Sequence, residues 1–468
     1  MHRALCLQLL AITAGILQSK FPQLFIQTLY PVLHSLTSPD AFLSLTALAT
    51  LKYITVVTSY ASPANLLLSN FDYALDSVSR RLTRRWLDID ATKVLVILVR
   101  LVGSDIVERA GDVVEECFDR LDDYHEHLII VEGLVEVLGE VITVIQSDNS
   151  KDATTGAKPK QARNQPRGAQ AFLLWHRERA QEIQSDNTDY GRAPRTAWGS
   201  EKEAQHDSDD EEAAPRSEAD AEQPATPIQS LTKQIVSRSM YFLTHGSPVI
   251  RARILMLLTS AAAVLPESAL LPSINSAWPF ILNRLSDNEP FVIGAAASLI
   301  EGLTTYAGDF MFRRIWDDVW PHFQKLLDKL NAADSKSALA RRGHGAIGTA
   351  SAYTISHRLY RSIIKTMTAT IKGVHPHEMS LWRVTLVFRR FLSQHAHEEL
   401  QACAKDLYLA IASRSADTVW LALSATAEST PPVEFLVEAK WKVEAQVGEI
   451  LSQILHQENG SRALPTPS

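Results

Sequence analysis

The sequence predicts an all-α fold, an α-solenoid of stacked antiparallel helix pairs that a long disordered linker interrupts. The first observation is a repeat: Pro248 and Pro290 are 42 residues apart, and so are the Trp-Pro pairs that begin at Trp278 and Trp320. The second is composition, since 46% of the 468 residues are hydrophobic but only 7% are aromatic. A core of Leu, Ala, Val and Ile suits stacked helices.

The same lag also superposes core positions, because it takes Leu257 to Leu299 and Leu285 to Leu327. A period of about 40–47 residues is typical of helix-pair solenoids of the HEAT and armadillo type. We therefore predict that six residues form the repeat core: Pro248, Leu257, Trp278, Pro290, Leu299 and Trp320.

The chain starts with an apolar stretch, MHRALCLQLLAITAGILQ, that resembles a short signal peptide. It has no clear small-x-small cleavage site and continues directly into SKFPQLFIQTLYPVL, so we expect a repeat helix instead. No uninterrupted apolar stretch reaches the roughly 18 residues of a spanning helix. The sequence therefore predicts no membrane span.

Residues 1–146 form the predicted N-terminal region of HEAT-like helical repeats. The stretch VLVILVRLV is apolar all round except for Arg100, as expected for a helix between two neighbours. The stretch LIIVEGLVEVLGEVITVI places Glu132, Glu136 and Glu140 on one face. That pattern predicts an amphipathic helix with one wet side.

Residues 147–228 are predicted to be a disordered, charged linker. Its first part is basic, whereas 201–222 holds ten acidic and two basic residues, a net charge of −8 that accounts for the −7 of the whole chain. Low hydrophobicity with charge blocks favours disorder. Residues 170–183 carry a short amphipathic pattern, which either docks as a helix or has no role. Ser208, followed by four acidic residues, is a candidate phosphorylation site.

Residues 229–457 are the predicted C-terminal HEAT-like repeats, and 458–468 a disordered tail. Pro290 suits a first helical turn, where its missing N–H costs nothing. HEAT units often carry an Asp in the turn within a repeat and an Arg early in the next helix. We therefore predict an inter-repeat ion pair between Arg251 and Asp287, and two separately solvated charges are the alternative.

The sequence offers no convincing catalytic or cofactor site. The motifs HPHE (375–378) and HAHE (395–398) contain metal-ligating residue types, but histidines at i and i+2 do not share a helix face. Phosphate-loop, dinucleotide and GxSxG motifs are absent from the sequence. Three scattered cysteines predict neither a disulfide framework nor a zinc site. We predict no catalytic residue, no metal and no cofactor, and the near-neutral body predicts no nucleic-acid binding.

Several phrases resemble the Tel-two-interacting protein one family. They are LLLSNFDYALDSVSRRL (66–82), the stretch from YFLTHGSPVIRARILMLL to RRIWDDVWPHF, and the acidic segment before it. Members of this family are considerably longer, so the resemblance places this chain at their C-terminal part. A fragment, a shortened gene model and a reduced homologue all agree with that length.

The resemblance implies a non-enzymatic scaffold, the large subunit of the Triple-T co-chaperone complex. The implied partners are the other two Triple-T subunits, phosphatidylinositol-3-kinase-related kinases of the TOR and ATM types, the ninety-kilodalton heat-shock chaperone and its AAA-ATPase adaptor. The implied location is the cytoplasm, with the nucleus in addition. Two alternatives are a HEAT adaptor of another pathway, such as a transport receptor or phosphatase scaffold, and an enzyme that uses the His-rich region.

Overall fold

The computed structural model describes residues 2–83, 88–156, 226–336, 354–392 and 396–424, together with positions 177 and 452. All regular structure in these ranges is helical. The chain divides into two units, a larger one of Met1–Ser150 and Ala225–Ser468 and a smaller one of Lys151–Pro224. In the smaller unit the described residues are the end of one helix and Arg177.

The first region folds into eight described helices. Their bounds are α1 His2–Leu17, α2 Phe25–Leu36, α3 Ala41–Val57, α4 Pro63–Ser69, α5 Phe71–Arg81, α6 Ala91–Val102, α7 Ala110–Asp123 and α8 Leu128–Gly156. Short 3₁₀ turns at Gln18–Leu24 and Gly103–Glu108 join neighbouring helices.

The second region continues the helical pattern. Its bounds are α9 Pro227–Ser239, α10 Pro248–Val264, α11 Glu267–Arg284, α12 Pro290–Tyr306, α13 Trp320–Lys336, α14 Ile355–Gly373, α15 Glu378–Phe388, α16 Glu398–Arg414 and α17 Ala416–Ser424. A single buried core cluster includes residues from both regions, and the fold is the α-solenoid that the repeat predicts.

The 42-residue lag corresponds to one helix pair. Pro248 and Pro290 are the first residues of α10 and α12, where a proline loses no intrahelical hydrogen bond. Leu257 and Leu299 lie fully inside these two helices and are buried. The first helices of successive repeats therefore start with the same turn chemistry and bury the same face.

The second helices of the two repeats differ in their regularity. Trp278 and Pro279 lie inside α11, which continues through them. Trp320, by contrast, is the first residue of α13 and follows a π-helical turn at Arg314–Val319. The sequence left open whether the Trp-Pro prolines start a helix or kink it: Pro279 lies inside a helix that continues past it, whereas Pro321 lies in the first turn of α13. Both tryptophans are buried.

The helices beside the linker extend further than the predicted boundaries. Helix α8 runs to Gly156, ten residues past the expected end of the first region at 146. Helix α9 begins at Pro227, where Thr226 and Gln229 form a reciprocal capping box. A helix that packing has nucleated propagates easily into polar residues, which explains the difference at α8.

The first helix packs as a repeat helix against α3, and the Thr50 hydroxyl donates to the Leu7 carbonyl at 3.4 Å. One side of α1 nevertheless exposes apolar side chains, among them Leu9 and Ile16. By length and composition alone, the run His2–Leu36 is one described stretch that could cross a membrane. The sequence prediction considered only uninterrupted apolar stretches. The run His2–Leu36 contains polar residues, but its average hydropathy is high. That prediction has only weak support at this end of the chain.

Candidate interaction surface

Six helices lie side by side and form what we call the first-helix row: α6, α8, α10, α12, α14 and α16. Within it, the Thr366 hydroxyl of α14 donates to the Ala297 carbonyl of α12 at 3.0 Å. The Arg414 guanidinium of α16 donates to the Ile371 carbonyl of α14 at 3.1 Å. Side chains thus bond directly to the backbone of the neighbouring helix, which fixes the spacing of the row.

Arg251 and Asp287, the pair predicted from the sequence, lie together between successive repeats. Arg251 Nε and Nη2 donate to the two Asp287 carboxylate oxygens at 3.0 and 2.9 Å. Arg251 Nη1 donates to the carbonyls of His245 and Gly246. Arg284 adds a second cation to Asp287 at 2.9 Å. The arrangement is bidentate, the strongest form of Arg–carboxylate contact.

The Asp287 carboxylate is almost completely buried, with 4% of its side chain exposed. Burial alone opposes ionisation, but hydrogen bonds from Arg251 and from the Glu289 backbone N–H, with the charges of Arg251 and Arg284, outweigh it. The net effect is a pKa of Asp287 below its ordinary value. The turn before α12 is therefore held by an ionised carboxylate between two guanidinium groups.

The buried tryptophans of the second helices have different polar environments. Trp278 Nε1 donates to Asp318 Oδ2 at 2.9 Å. The Arg314 guanidinium lies 5.2 Å from the Trp278 ring centre, within cation–π range. Burial lowers the pKa of Arg314, with Asp318 opposing that shift. Trp320 instead packs on Phe388, with ring centres 6.2 Å apart. Trp278 thus connects one repeat to the next through its hydrogen bond to Asp318 as well as through its buried apolar surface.

An ion-pair cluster joins the helices on either side of the linker. Arg253 of α10 lies 3.0 Å from Glu132 and 2.6 Å from Glu136, both on α8. Arg100 of α6 contacts Glu140, which lies on the same face of α8, at 2.7 Å. The sequence predicted that this face of α8 is exposed to water and did not identify the arginines that contact it. Arg253 is more than a hundred residues away along the chain, and no local pattern could have found it.

We expect Arg253→Ala to lower the free energy of unfolding by about 1 kcal/mol, because the three side chains are between 31% and 42% exposed and solvent screens the pairs. The loss should shrink in concentrated salt. Thermal unfolding at low and high ionic strength measures it. Arg313→Ala is the control, since Arg313 is exposed and no ion pair is recorded for it among the described residues. An equal loss at both ionic strengths would contradict the ion-pair explanation.

The histidine motifs supply helix caps. His377 is the N-cap of α15 and accepts from the Ser380 backbone N–H at 3.3 Å. His397 is the N-cap of α16 and accepts from the Glu399 backbone N–H at 3.2 Å. An imidazole nitrogen therefore takes the place of the usual Ser, Thr or Asp oxygen. His395 lies outside the described residues.

A second histidine cluster forms where α14 meets α16. The buried His357 lies 3.0 Å from the Glu399 carboxylate, and the His397 ring is edge-on to it at 4.6 Å. These three residues are close enough together to share a metal ion. Arg361, however, contacts Glu399 at 2.5 Å. Hydrogen bonds from His357 and Arg361 hold the pKa of Glu399 below its ordinary value. The Arg361 guanidinium and the positive amino end of α16 both oppose a bound metal cation at this cluster. The prediction of no metal stays a prediction.

Two further predictions concern residues outside the described ranges. Ser208 and all of 170–183 except Arg177 fall there. The candidate phosphorylation site and the short linker helix therefore stay predictions.

Comparison with protein families gives two matches along the chain. Residues 134–420 match the family described as the TTI1 C-terminal TPR domain. Residues 29–118 match the family described as TELO2-interacting protein 1. A tetratricopeptide repeat is also a helix pair, but its usual length is 34 residues, and the 42-residue lag of this chain is closer to the HEAT length.

Curated relatives agree with these matches. The chain is 24% identical over 433 residues to the mouse TELO2-interacting protein 1 homolog, which covers 90% of this chain and 38% of that protein. It is 23% identical over 448 residues to the human homolog, covering 92% and 39% respectively. The yeast TEL2-interacting protein 1 is 23% identical over 345 residues. The chain thus spans about two fifths of the length of the mouse and human relatives.

Solved structures share only the general helical architecture. Importin beta has a TM-score of 0.40 and 12% identity, covering 95% of this chain and 52% of that one. A Kap121p mutant has a TM-score of 0.37 and 13% identity, covering 97% and 42%. These scores are too low to bear on function. The family matches cover most of both helical regions, and the chain belongs to the TELO2-interacting protein 1 family.

Proposed function

We propose that this chain is a non-enzymatic scaffold subunit of a co-chaperone complex. In that role it supports the folding, assembly and stability of phosphatidylinositol-3-kinase-related kinases together with the ninety-kilodalton heat-shock chaperone. The observation that carries the proposal is the family match over residues 134–420, which covers the first-helix row from α8 onwards.

The side chains of the row support a scaffold role. The charged groups described above serve contacts between helices: Arg251 with Asp287, and Arg253 with two glutamates. His377 and His397 cap helices. A stacked helix array then offers long, rigid surfaces for other helical proteins. We therefore propose binding, and no chemical step, as the activity of this chain.

The proposed partners follow from the relatives. Their name states that they interact with TELO2, and we propose TELO2 and the third Triple-T subunit as direct partners of this chain. The kinases of the TOR and ATM types, the heat-shock chaperone and its AAA-ATPase adaptor are proposed as further partners. We propose the cytoplasm and the nucleus as the location, since the client kinases act in both.

Depletion of this protein in its own cells is expected to lower the steady-state levels of the related kinases severalfold while their transcripts stay constant. The reason is that client kinases without a co-chaperone are degraded in their unfolded forms. Quantitative immunoblotting beside transcript measurement tests this. An unrelated kinase of similar size is the control.

Affinity purification of the tagged full chain separates this proposal from other adaptor roles. Recovery of the other Triple-T subunits and the kinases supports it. Recovery of transport cargo or a phosphatase instead, with kinase levels unchanged on depletion, would replace it with the adaptor of another pathway.

A further inference from the structure

Helix α14 presents a stripe of cations along its exposed face. Arg358, Arg361, Lys365 and Lys372 are all exposed. At 100° per residue they fall within about 60° of the helix circumference. The opposite face carries buried residues such as Met367. The stripe is therefore one continuous surface about 21 Å long, at 1.5 Å per residue.

Three of these four cations have no salt-bridge partner among the described residues. Arg361 contacts Glu399 at 2.5 Å. For Arg358, Lys365 and Lys372 no carboxylate lies within ion-pair distance in the part of the chain that the structure describes. This sets α14 apart from α8 and α10, whose charges contact each other. The stripe retains its charge for an external partner.

The carboxyl-terminal half of the stripe, with Lys365 and Lys372, forms the floor of a groove between α12 and α16. The groove has a cavity of about 470 Å³ and places Lys365, Thr368 and Lys372 between Glu301 and Thr305 on one side and Cys403 and Asp406 on the other. Burial raises the pKa of Glu301, with Lys365 opposing the shift. Positive charge thus lies along the middle of the groove, and carboxylates lie at its edges.

We propose that this α14 groove binds an acidic, extended segment of a partner protein. Carboxylates of such a segment would meet Lys365 and Lys372. The hydroxyls of Thr305 and Thr368 donate within their own helices, and their oxygens can accept from backbone N–H groups of the segment. The 21 Å stripe matches about six or seven extended residues at 3.3 Å each. Side chains on one face of an extended chain recur about every 6.6 Å, so carboxylates two or four residues apart bracket the axial separation of the two lysines, about 10 Å.

The edges of the groove favour a peptide over a nucleic acid. Glu301 and Asp406 would repel a continuous phosphate backbone, whereas a peptide can place neutral residues beside them. The net charge of the whole chain is −7, unlike the basic footprint of a nucleic-acid binder. The groove and its charges are the same whichever complex the chain joins.

The test uses the full chain and a fluorescein-labelled octapeptide of alternating Glu and Ser, followed by fluorescence anisotropy at low ionic strength. We expect saturable binding that weakens with added salt. The triple variant Arg358→Glu, Lys365→Glu, Lys372→Glu should bind at least about tenfold more weakly, since each exposed pair contributes up to a fewfold in affinity. The octapeptide of alternating Gln and Ser should not bind.

A matched control keeps the change in net charge constant. Lys233→Glu, Lys325→Glu, Lys329→Glu alters three exposed lysines on α9 and α13 and should leave binding unchanged. A triple alanine variant of the stripe, with an unchanged thermal midpoint, separates lost charge from lost folding. In a Cys6→Ser background, the peptide should also slow alkylation of Cys403, because that thiol lines the groove and Cys117 is buried.

Three outcomes would overturn the proposal. The first is no binding of the acidic peptide. The second is an equal loss of affinity in the matched control, which would mean that only overall charge matters. The third is tighter binding of a thymidine octanucleotide than of the acidic peptide, which would make the groove a nucleic-acid site.

Discussion

Replacement of Asp287 by alanine is expected to lower the free energy of unfolding by about 3–5 kcal/mol. The side chains of Asp287, Arg251 and Arg284 are 4%, 12% and 20% exposed, so the change leaves two largely buried guanidinium groups without their carboxylate. Removing one member of a buried pair costs more than the pair contributes, because the remaining charge stays desolvated. Urea-induced unfolding measures the change.

The control is Asp122→Ala, which removes the partner of Arg238 on the surface. The Asp122 side chain is 78% exposed, and the contact is 3.4 Å long. An exposed pair of this kind contributes at most about 1 kcal/mol. Similar losses of unfolding free energy for Asp287→Ala and Asp122→Ala would show that the buried pair contributes no more than an exposed one. Water would then have to hydrogen-bond to the two guanidinium groups.

The same carboxylate predicts how the loss depends on pH. The pKa of Asp287 is lower in the folded than in the unfolded chain, so its contribution is fully present above the unfolded value of about 3.9. It is lost as pH falls through the folded pKa. The difference between wild type and Asp287→Ala should therefore be constant near neutral pH and shrink only in acid below about pH 4.

The sequence predicted this pair because both positions follow from the repeat. Asp287 lies in the turn before α12 and Arg251 lies in the first turn of α10, and turns between helix pairs recur at the period of the repeat. The contact of Arg253 with Glu132 and Glu136 does not follow from the repeat period. It depends on α8 and α10 being neighbours across a linker, which is a property of the packed fold alone.

The histidines show a different limit of sequence reasoning. His377 and His397 each precede a Glu that begins a helix, and that position is typical of an N-cap. Histidine is not among the preferred cap residues, so the pattern raised the question of metal ligands, and the sequence favoured histidines in loops or at helix ends without identifying them as caps. The helix starts could have been found from the Glu residues in the first turn, which favour an amino end.

Helix spacing is a further property that the sequence does not reveal, and Gly373 shows why. Gly373 is the last residue of α14, and a Cβ there would lie 2.2 Å from the Thr304 carbonyl oxygen of α12. Gly308, which turns the chain after α12 with a φ of +48°, lies against the Gly373 carbonyl. Such closeness depends on two helix axes from different repeats, and a glycine near a helix end is usually explained by the end itself.

We expect Gly373→Ala to lower the free energy of unfolding by about 3 kcal/mol, because the new methyl group meets backbone and not a side chain that can rotate away. Helices α12 and α14 must then move apart, and the hydrogen bond from Thr366 to Ala297 should weaken with them. Urea unfolding and amide hydrogen exchange of α12 and α14 measure the two effects.

Gly294→Ala is the matched control, since it faces the same pair of helices. A Cβ at Gly294 would lie 3.9 Å from the Ser362 hydroxyl, an ordinary contact. Alanine also has the higher helix propensity within α12, so this variant should be more stable by about 0.5–1 kcal/mol. Opposite signs for two Gly→Ala changes at one interface would show that helix spacing, and not propensity, decides the outcome. An unchanged free energy of unfolding for Gly373→Ala would mean that α12 and α14 can move apart at little cost. The rigidity of the first-helix row would then have to come from the ion pairs.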